Sequence, residues 1–188
     1  ESLIALPSYE KIFLVNLQSG QIHGMLEAAG SRFPVIRLGF APQGDRLVSI
    51  VNKRTGSANA KVVLWDTKTM EPIKTLVQAN FDRTLSDTIG FSPDGSVVYV
   101  AFNQGSFELF DTQTGNLIES NIWVPRGTAY QVSVTAQANE VCIRDDDGFL
   151  LYGGPNRRTY GFFYAKDREA APLYFKDGFL MIKDTRNM

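Results

Sequence analysis

The sequence is short of the two residue types that most often build metal and redox sites. Its 188 residues include one cysteine, Cys142, and one histidine, His23. A single cysteine cannot form a disulfide within the chain, and a single histidine excludes sites that need several imidazole ligands. Cys142 is interpreted as a buried strand residue because it lies between Val141 and Ile143. His23 has no neighbour in sequence that would orient it as a base.

An excess charge of one sign and long apolar runs are also missing. Lys and Arg number 19, Asp and Glu number 20, and the net charge is −1. This balance provides no basic field for nucleic acid, so no nucleic-acid partner is predicted. The longest apolar runs are short pieces such as Val97–Val100, which excludes a transmembrane helix. No phosphate loop of the Gly-x-x-x-x-Gly-Lys type occurs, so nucleotide hydrolysis is not supported.

Three features of the sequence bear on the cellular compartment: its first residues, its single cysteine and its lack of glycosylation acceptors. The chain begins at Glu1 without a basic-then-apolar leader and is interpreted as processed or as a piece of a longer protein. A lone cysteine is compatible both with the cytosol and with an exported chain. Because no Asn-x-Ser/Thr acceptor for glycosylation occurs, a cytoplasmic location is favoured.

What the sequence does contain is internal repetition. Residues 13–22, 63–73 and 108–118 align as an apolar strand, a polar turn and a second strand. Residues 38–45 and 89–96 align as Gly-Phe-x-Pro-x-Gly turns, each followed by an apolar strand. Asp and Asn favour the start of such turns because their side chains bond the backbone two residues on, and Gly supplies positive φ. Four short strands recur in about 45 residues, which predicts an all-β chain.

Three of these segments resemble the WD40 family and its bacterial relatives with a Tyr-Val-Thr-Asn signature. They are Leu64-Trp65-Asp66, Phe91-Ser92-Pro93-Asp94-Gly95 and Asp111-Thr112-Gln113-Thr114-Gly115. The resemblance implies a β-propeller, or part of one, built of four-stranded antiparallel blades. In WD40 repeats a His, an Asp, a strand Ser or Thr and the Trp form a hydrogen-bonded network. Because the only histidine lies in a predicted strand, that network is predicted not to form here.

The repeats divide the chain into blades of a single propeller region, 1–188. The predicted units are a partial blade at 2–27, complete blades at 33–78 and 84–123, a further blade at 129–165, and a hairpin or closing strand at 171–184. About four blades are few for a closed ring. Three explanations stay open: part of a larger propeller, two copies that complete a ring, or a small ring closed by the last hairpin.

The resemblance implies that loops between blades display contact residues at one rim. Large aromatic and Arg side chains often anchor protein partners, which favours a non-catalytic interaction or scaffold module that binds a protein or peptide, or the remaining blades of a larger propeller. The predicted contact residues are Arg54, Phe81, Arg83, Trp123 and Arg126. The alternative for Phe81 and Trp123 is packing between neighbouring blades. Residues 52–60 form a polar insertion at the same rim, interpreted as a recognition loop or a tolerated surface loop.

An enzyme is the alternative function. Relatives of this bacterial repeat type include sugar-lactone hydrolases and quinone-dependent dehydrogenase subunits, whose site would lie at the ring centre. Asp145, Asp146 and Asp147 form the densest carboxylate cluster and are the weak candidates for a cation site, although Asp and Gly also favour a simple polar turn there. No catalytic residue and no cofactor are predicted from the sequence.

Overall fold

The chain forms only β-strands and turns over the residues that the computed structural model describes. These are 2–8, 11–28, 35–51, 60–79, 85–102 and 106–123, followed by the strand segments 131–134, 140–144, 148–153, 158–164, 173–176 and 179–182. The all-β prediction is confirmed for these ranges. No stretch within them forms a helix that could cross a membrane.

The described strands form five antiparallel sheets, which follow one another in chain order. The first sheet holds three strands: β1 (Leu3–Ser8), β2 (Lys11–Asn16) and β3 (Ile22–Glu27). The second holds β4 (Val35–Phe40), β5 (Arg46–Val51), β6 (Lys61–Asp66) and β7 (Pro72–Gln78), and the third holds β8 (Leu85–Phe91), β9 (Val97–Phe102), β10 (Ser106–Asp111) and β11 (Leu117–Trp123). The fourth holds β12 (Gln131–Val134), β13 (Glu140–Arg144), β14 (Gly148–Gly153) and β15 (Arg158–Tyr164), and the fifth pairs β16 (Leu173–Lys176) with β17 (Phe179–Ile182).

The strand register makes positions in the first three sheets equivalent. Leu3 pairs with Asn16, Arg46 with Asp66, and Val97 with Asp111. Each pair stands at the start of the same polar turn. The first sheet therefore contains the counterparts of the second, third and fourth strands of the other two sheets. No described strand takes the place beside β1 that β4 takes beside β5.

The first three sheets pack face to face in chain order, through two apolar layers. Ile12, Leu14 and Leu26 of the first sheet pack against Leu47 and Trp65 of the second. On its other face the second sheet contributes its own buried residues, Val48, Ile50, Val62, Leu64 and Val77, to a layer shared with Val98, Val100, Phe102 and Phe110 of the third. Alternation along each strand sends neighbouring residues to opposite faces, so the second sheet contributes to both layers.

Three equivalent turns reverse the chain after β2, β6 and β10. Gly20 and Gly115 end two of these turns with φ of 69° and 65°, the left-handed conformation that glycine adopts without strain. Met70 ends the third with φ of 63°. Its side chain lies against Gly24 of the first sheet, in the space that a Cβ there would fill. The turn of the second sheet thus also helps to hold the first sheet in place.

Trp65 makes one link of the kind that the WD40 resemblance implies. Its indole Nε1–H donates to Ser49 Oγ at 2.9 Å, and both residues are buried. The sequence analysis predicted that the network of His, Asp, Ser or Thr and Trp does not form, because the only histidine lies in a strand. The bond from Trp65 on β6 to Ser49 on β5 is nevertheless present. A buried indole N–H generally needs such an acceptor, because leaving it unpaired costs about 1–3 kcal/mol.

Candidate interaction surface

Most of the predicted contact residues fall outside the described residues. These are Arg54, between β5 and β6; Phe81 and Arg83, between β7 and β8; and Arg126, between β11 and β12. The cation candidates Asp145, Asp146 and Asp147 also fall outside them. Trp123 is the last residue of β11, where its backbone pairs with Ser106. Because all of them except Trp123 lie outside the described residues, the contact and cation sites stay predictions.

The described turns collect at one end of the sheets, which we call the turn rim (residues 17–21, 41–45, 67–71, 92–96 and 112–116). Asn16, Asp66 and Asp111 each accept bonds from the backbone N–H groups two and three residues on. For Asp66 the donors are Lys68 at 2.8 Å and Thr69 at 3.1 Å. Such turns use a side-chain oxygen in place of a backbone carbonyl, which explains the shared Asp or Asn.

The carboxylates of the turn rim are held in their charged form by local donors. Burial alone raises the pKa of Asp66, but the bonded N–H groups of Thr69 and Lys68 and the charge of Arg46 outweigh it, and the pKa lies below its ordinary value. Arg46 Nη1 lies 3.0 Å from Asp66 Oδ2. The hydroxyl and N–H of Thr114, together with the N–H of Gln113, lower the pKa of Asp111, although burial alone would raise it. Because these carboxylates accept hydrogen bonds from their own turns, their role is to stabilise the turn conformation.

Asp94 shows the same pattern in the turn between β8 and β9. Burial raises its pKa, but the bonds from the Ser92 hydroxyl and from the N–H and hydroxyl of Ser96 bring the pKa below its ordinary value. The Ser92 hydroxyl donates to Asp94 at 2.6 Å.

Among the described residues no group of three or more His, Cys, Asp or Glu side chains is arranged to hold a metal ion.

Among the described residues, the turn rim has one cleft between the first and second sheets and another between the second and third. The larger, of about 640 Å³, lies between the first and second sheets and has apolar walls from Leu3, Phe40 and Pro42 with polar groups that include Asp45 and Lys68. The smaller, of about 340 Å³, lies between the second and third sheets. It is bridged by the Gln43 amide, which donates to the Asp94 carbonyl at 2.8 Å.

The first sheet has an apolar face that no described residue covers. This open face comprises Ile4, Leu6, Phe13, Val15 and Met25, on the side away from the second sheet. Ile4 is 39% exposed and Leu6 is 45% exposed. Their counterparts Leu47 and Ser49 in the second sheet are fully buried at 0%, as are Val98 and Val100 in the third.

The sequence could have indicated the open face but not its exposure. Alternating apolar residues along β1 and β2 are visible, and alternation marks two faces. Which face is covered depends on the neighbouring sheet, and the repeat alignment does not name that neighbour. The sequence pattern instead favoured Arg and aromatic residues at the connections between blades as binding residues.

The resemblance to WD40 repeats rests on the residues quoted above and is not supported by an independent match. Comparison with protein-family models and with curated proteins found no match to this chain.

Proposed function

We propose that this chain is a non-catalytic protein-interaction module of the β-propeller type, whose open face binds a partner protein. One observation carries the proposal: Ile4 and Leu6 of the first sheet are exposed, whereas the equivalent positions of the second and third sheets are buried. Residues 52–60 and the predicted contact residues would add a second binding surface at the end of the sheets opposite the turn rim. The proposal does not depend on this second surface.

Ile4 and Leu6 have apolar surface left for a partner to cover, since they are 39% and 45% exposed. Full burial of an Ile or Leu side chain contributes about 1.5–3 kcal/mol, so covering the exposed part of each contributes less than half of that. Ile4 and Leu6 lie two residues apart on one strand, so both contact the same partner surface. Phe13 and Val15 lie beside them on β2, since Leu6 pairs with Phe13 and Ile4 with Val15. Such a contiguous apolar patch marks an interaction site more often than scattered apolar residues do.

The polar groups of the turn rim also favour a binding role over catalysis. Asp66, Asp94 and Asp111 are engaged by backbone N–H groups, hydroxyls or Arg46 in their own sheets. A general acid or base needs a pKa close to the working pH. The pKa values of these three carboxyls shift downward, away from it.

The test compares two leucine variants that differ only in location. Leu6→Ser places on the open face the residue that the second sheet already has at that position, Ser49. Leu117→Ser changes a leucine that is 51% exposed on the third sheet, away from the open face. Immobilised wild-type and Leu117→Ser chains are expected to retain the same stoichiometric partner from an extract of the producing cells, whereas Leu6→Ser loses it.

The captured partner is then purified and mixed with each chain, and light scattering gives the mass of the complex. Circular dichroism spectra that match the wild type establish that both variants are folded. Equal retention of partner by all three chains, or no stoichiometric partner on any of them, would overturn the proposal.

A further inference from the structure

The first three sheets meet at two junctions, and the same two positions are in contact at each of them. One position lies on the last strand of a sheet and is occupied by Gly24 in the first sheet and by Lys74 in the second. These two residues are equivalent because they pair with equivalent residues of β2 and β6. The other position ends the turn of the next sheet and is occupied by Met70 and by Gly115. We call Gly24 with Met70, and Lys74 with Gly115, the junction pairs.

The two junction pairs place a large and a small residue in opposite order. A Cβ on Gly24 would lie 2.6 Å from Met70 Sδ, so the methionine of the second sheet fills the space that the glycine of the first leaves free. At the next junction the large residue is on the strand, since a Cβ on Gly115 would lie 2.8 Å from Lys74 Cβ. The lysine side chain continues onto the third sheet, where its Nζ donates to Asn116 Oδ1 at 2.9 Å. Each junction therefore holds one side chain where two would overlap.

Gly24 and Met70 are each unfavourable for their own local structure. Gly24 lies in β3 without a positive φ, so its backbone conformation does not require glycine, and glycine weakens a strand. Met70 has φ of 63°, a conformation that Gly20 and Gly115 adopt in the equivalent turns without the steric cost of a side chain. Because two locally unfavourable residues contact each other, the fit between them explains both.

The junction pairs distinguish one neighbouring sheet from another. Apolar faces alone do not, since these sheets share the same alternating pattern. The turn of the third sheet placed over β3 would put Gly115 against Gly24 and leave a gap. The turn of the second sheet placed over β7 of a second copy would put Met70 against Lys74, and the two side chains would overlap. The observed order avoids both mismatches.

We propose that the junction pairs select which sheet stacks on which, so that sheets with similar apolar faces assemble in chain order. A mismatched pair disfavours stacking of the wrong sheet, whether that sheet belongs to the same chain or to a second copy. The open face takes no part in this selection, which is therefore independent of the proposed function.

The fit within a junction pair is tested by one substitution in two backgrounds. Gly24→Lys in the wild-type chain places a long side chain against Met70 and is expected to lower the melting temperature by about 4 °C or more. In the Met70→Gly chain the same substitution reproduces the pair of the second junction, with Glu71 as the counterpart of Asn116. There it is expected to leave the melting temperature unchanged or to raise it. An equal loss in both backgrounds would overturn the fit.

The second junction provides the matched control. Gly115→Met is expected to lower the melting temperature more in the wild-type chain than in the Lys74→Gly chain, where glycine on the strand makes room for the methionine as Gly24 does at the first junction. The strain of the positive φ is present in both backgrounds and cancels in the comparison. Equal losses would contradict the contact with Lys74 as the cause.

Selection of the neighbouring sheet is tested by refolding the double variant Gly24→Lys/Met70→Gly. Its two junctions have the same order of large and small residues, so the turn of the third sheet also fits over β3. After dilution from urea, size-exclusion chromatography with light scattering measures how much protein returns to the mass of the wild-type chain. The ratio of higher-mass species to protein of that mass is expected to rise about fivefold or more, although the melting temperature of the native fraction stays unchanged. Equal ratios for the wild type and the double variant would overturn selection.

Discussion

Asn16, Asp66 and Asp111 occupy one position in three equivalent turns, and only two of them carry a charge. Each accepts backbone N–H bonds two and three residues on, at 2.8–3.1 Å. The turn therefore needs a side-chain oxygen at that position, whether in an amide or in a carboxylate. The charge adds a dependence on pH that the amide lacks.

Asp111→Asn is expected to keep the turn and to reduce the loss of stability in acid. The pKa of Asp111 is lowered in the folded chain, so the stability that it contributes is present above its ordinary pKa and is lost as the pH falls through the folded value. Urea unfolding measured between about pH 5 and about pH 2.5 should therefore give a smaller decline for Asp111→Asn than for the wild type.

The reverse substitution provides the control. Asn16→Asp introduces a titrating carboxyl into the same type of turn and is expected to steepen the decline in acid. An unchanged pH dependence in both variants would show that the turn donors do not stabilise the carboxylate.

Substitution of two glycines by alanine distinguishes the cost of backbone strain from the cost of steric contact. Gly20 and Gly115 both have positive φ, but a Cβ at Gly20 would meet nothing within 4 Å, whereas one at Gly115 would lie 2.8 Å from Lys74 Cβ. Gly20→Ala is expected to lower the free energy of unfolding by about 1–2 kcal/mol, the cost of the left-handed conformation alone. Gly115→Ala should cost clearly more, because the neighbouring strand must also move. Equal losses in urea unfolding would contradict this reading.

At the scale of strands, β5 and β6 of the second sheet carry a polar pair where β9 and β10 of the third carry an apolar one. Trp65 bonds to Ser49, and the equivalent residues in the third sheet are Phe110 and Val100, all of them buried. The same backbone positions thus accept either a hydrogen-bonded polar pair or an apolar pair. A hydrogen bond is necessary only where one partner is already polar.

A double-mutant cycle should reveal this coupling. Trp65→Phe leaves the Ser49 hydroxyl without its donor, and Ser49→Val leaves the indole N–H without its acceptor, so each is expected to cost about 1–3 kcal/mol. The double variant reproduces the pair of the third sheet and is expected to lose at least about 1 kcal/mol less than the sum of the single losses. Urea denaturation gives the free energy of unfolding of the wild type and the three variants. Strictly additive losses would count against the coupling.

The strands and turns are the part of this fold that local sequence can predict. Leu64-Trp65-Asp66 indicates an apolar strand that ends in a turn, and that is how β6 ends. The bond between Trp65 and Ser49 could not be predicted, because residues 52–60 intervene and the register of β5 against β6 depends on the folded hairpin. Met70 also escaped prediction, since nothing local indicates a positive φ at methionine.

For the whole molecule, the stack is asymmetric in a way that repeats alone do not indicate. The second sheet is covered on both faces, by Ile12 and Leu14 on one side and by Val98 and Val100 on the other. The first sheet is covered by described residues on one face only. Local patterns encode two apolar faces for every sheet, but whether a face is covered depends on long-range packing. The open face therefore differs from its counterparts in exposure and not in local pattern.

Pro7 has a consequence for the behaviour of the chain in concentrated solution. A long, fully bonded apolar edge can recruit strand after strand and lead to fibrils. Pro7 carries no N–H and so interrupts the donors along the edge of β1 with which no described strand pairs, and the turn rim limits that edge at its other end. The edge accordingly offers little to an extended ladder. A surface that is apolar enough to bind can in this way stay resistant to aggregation.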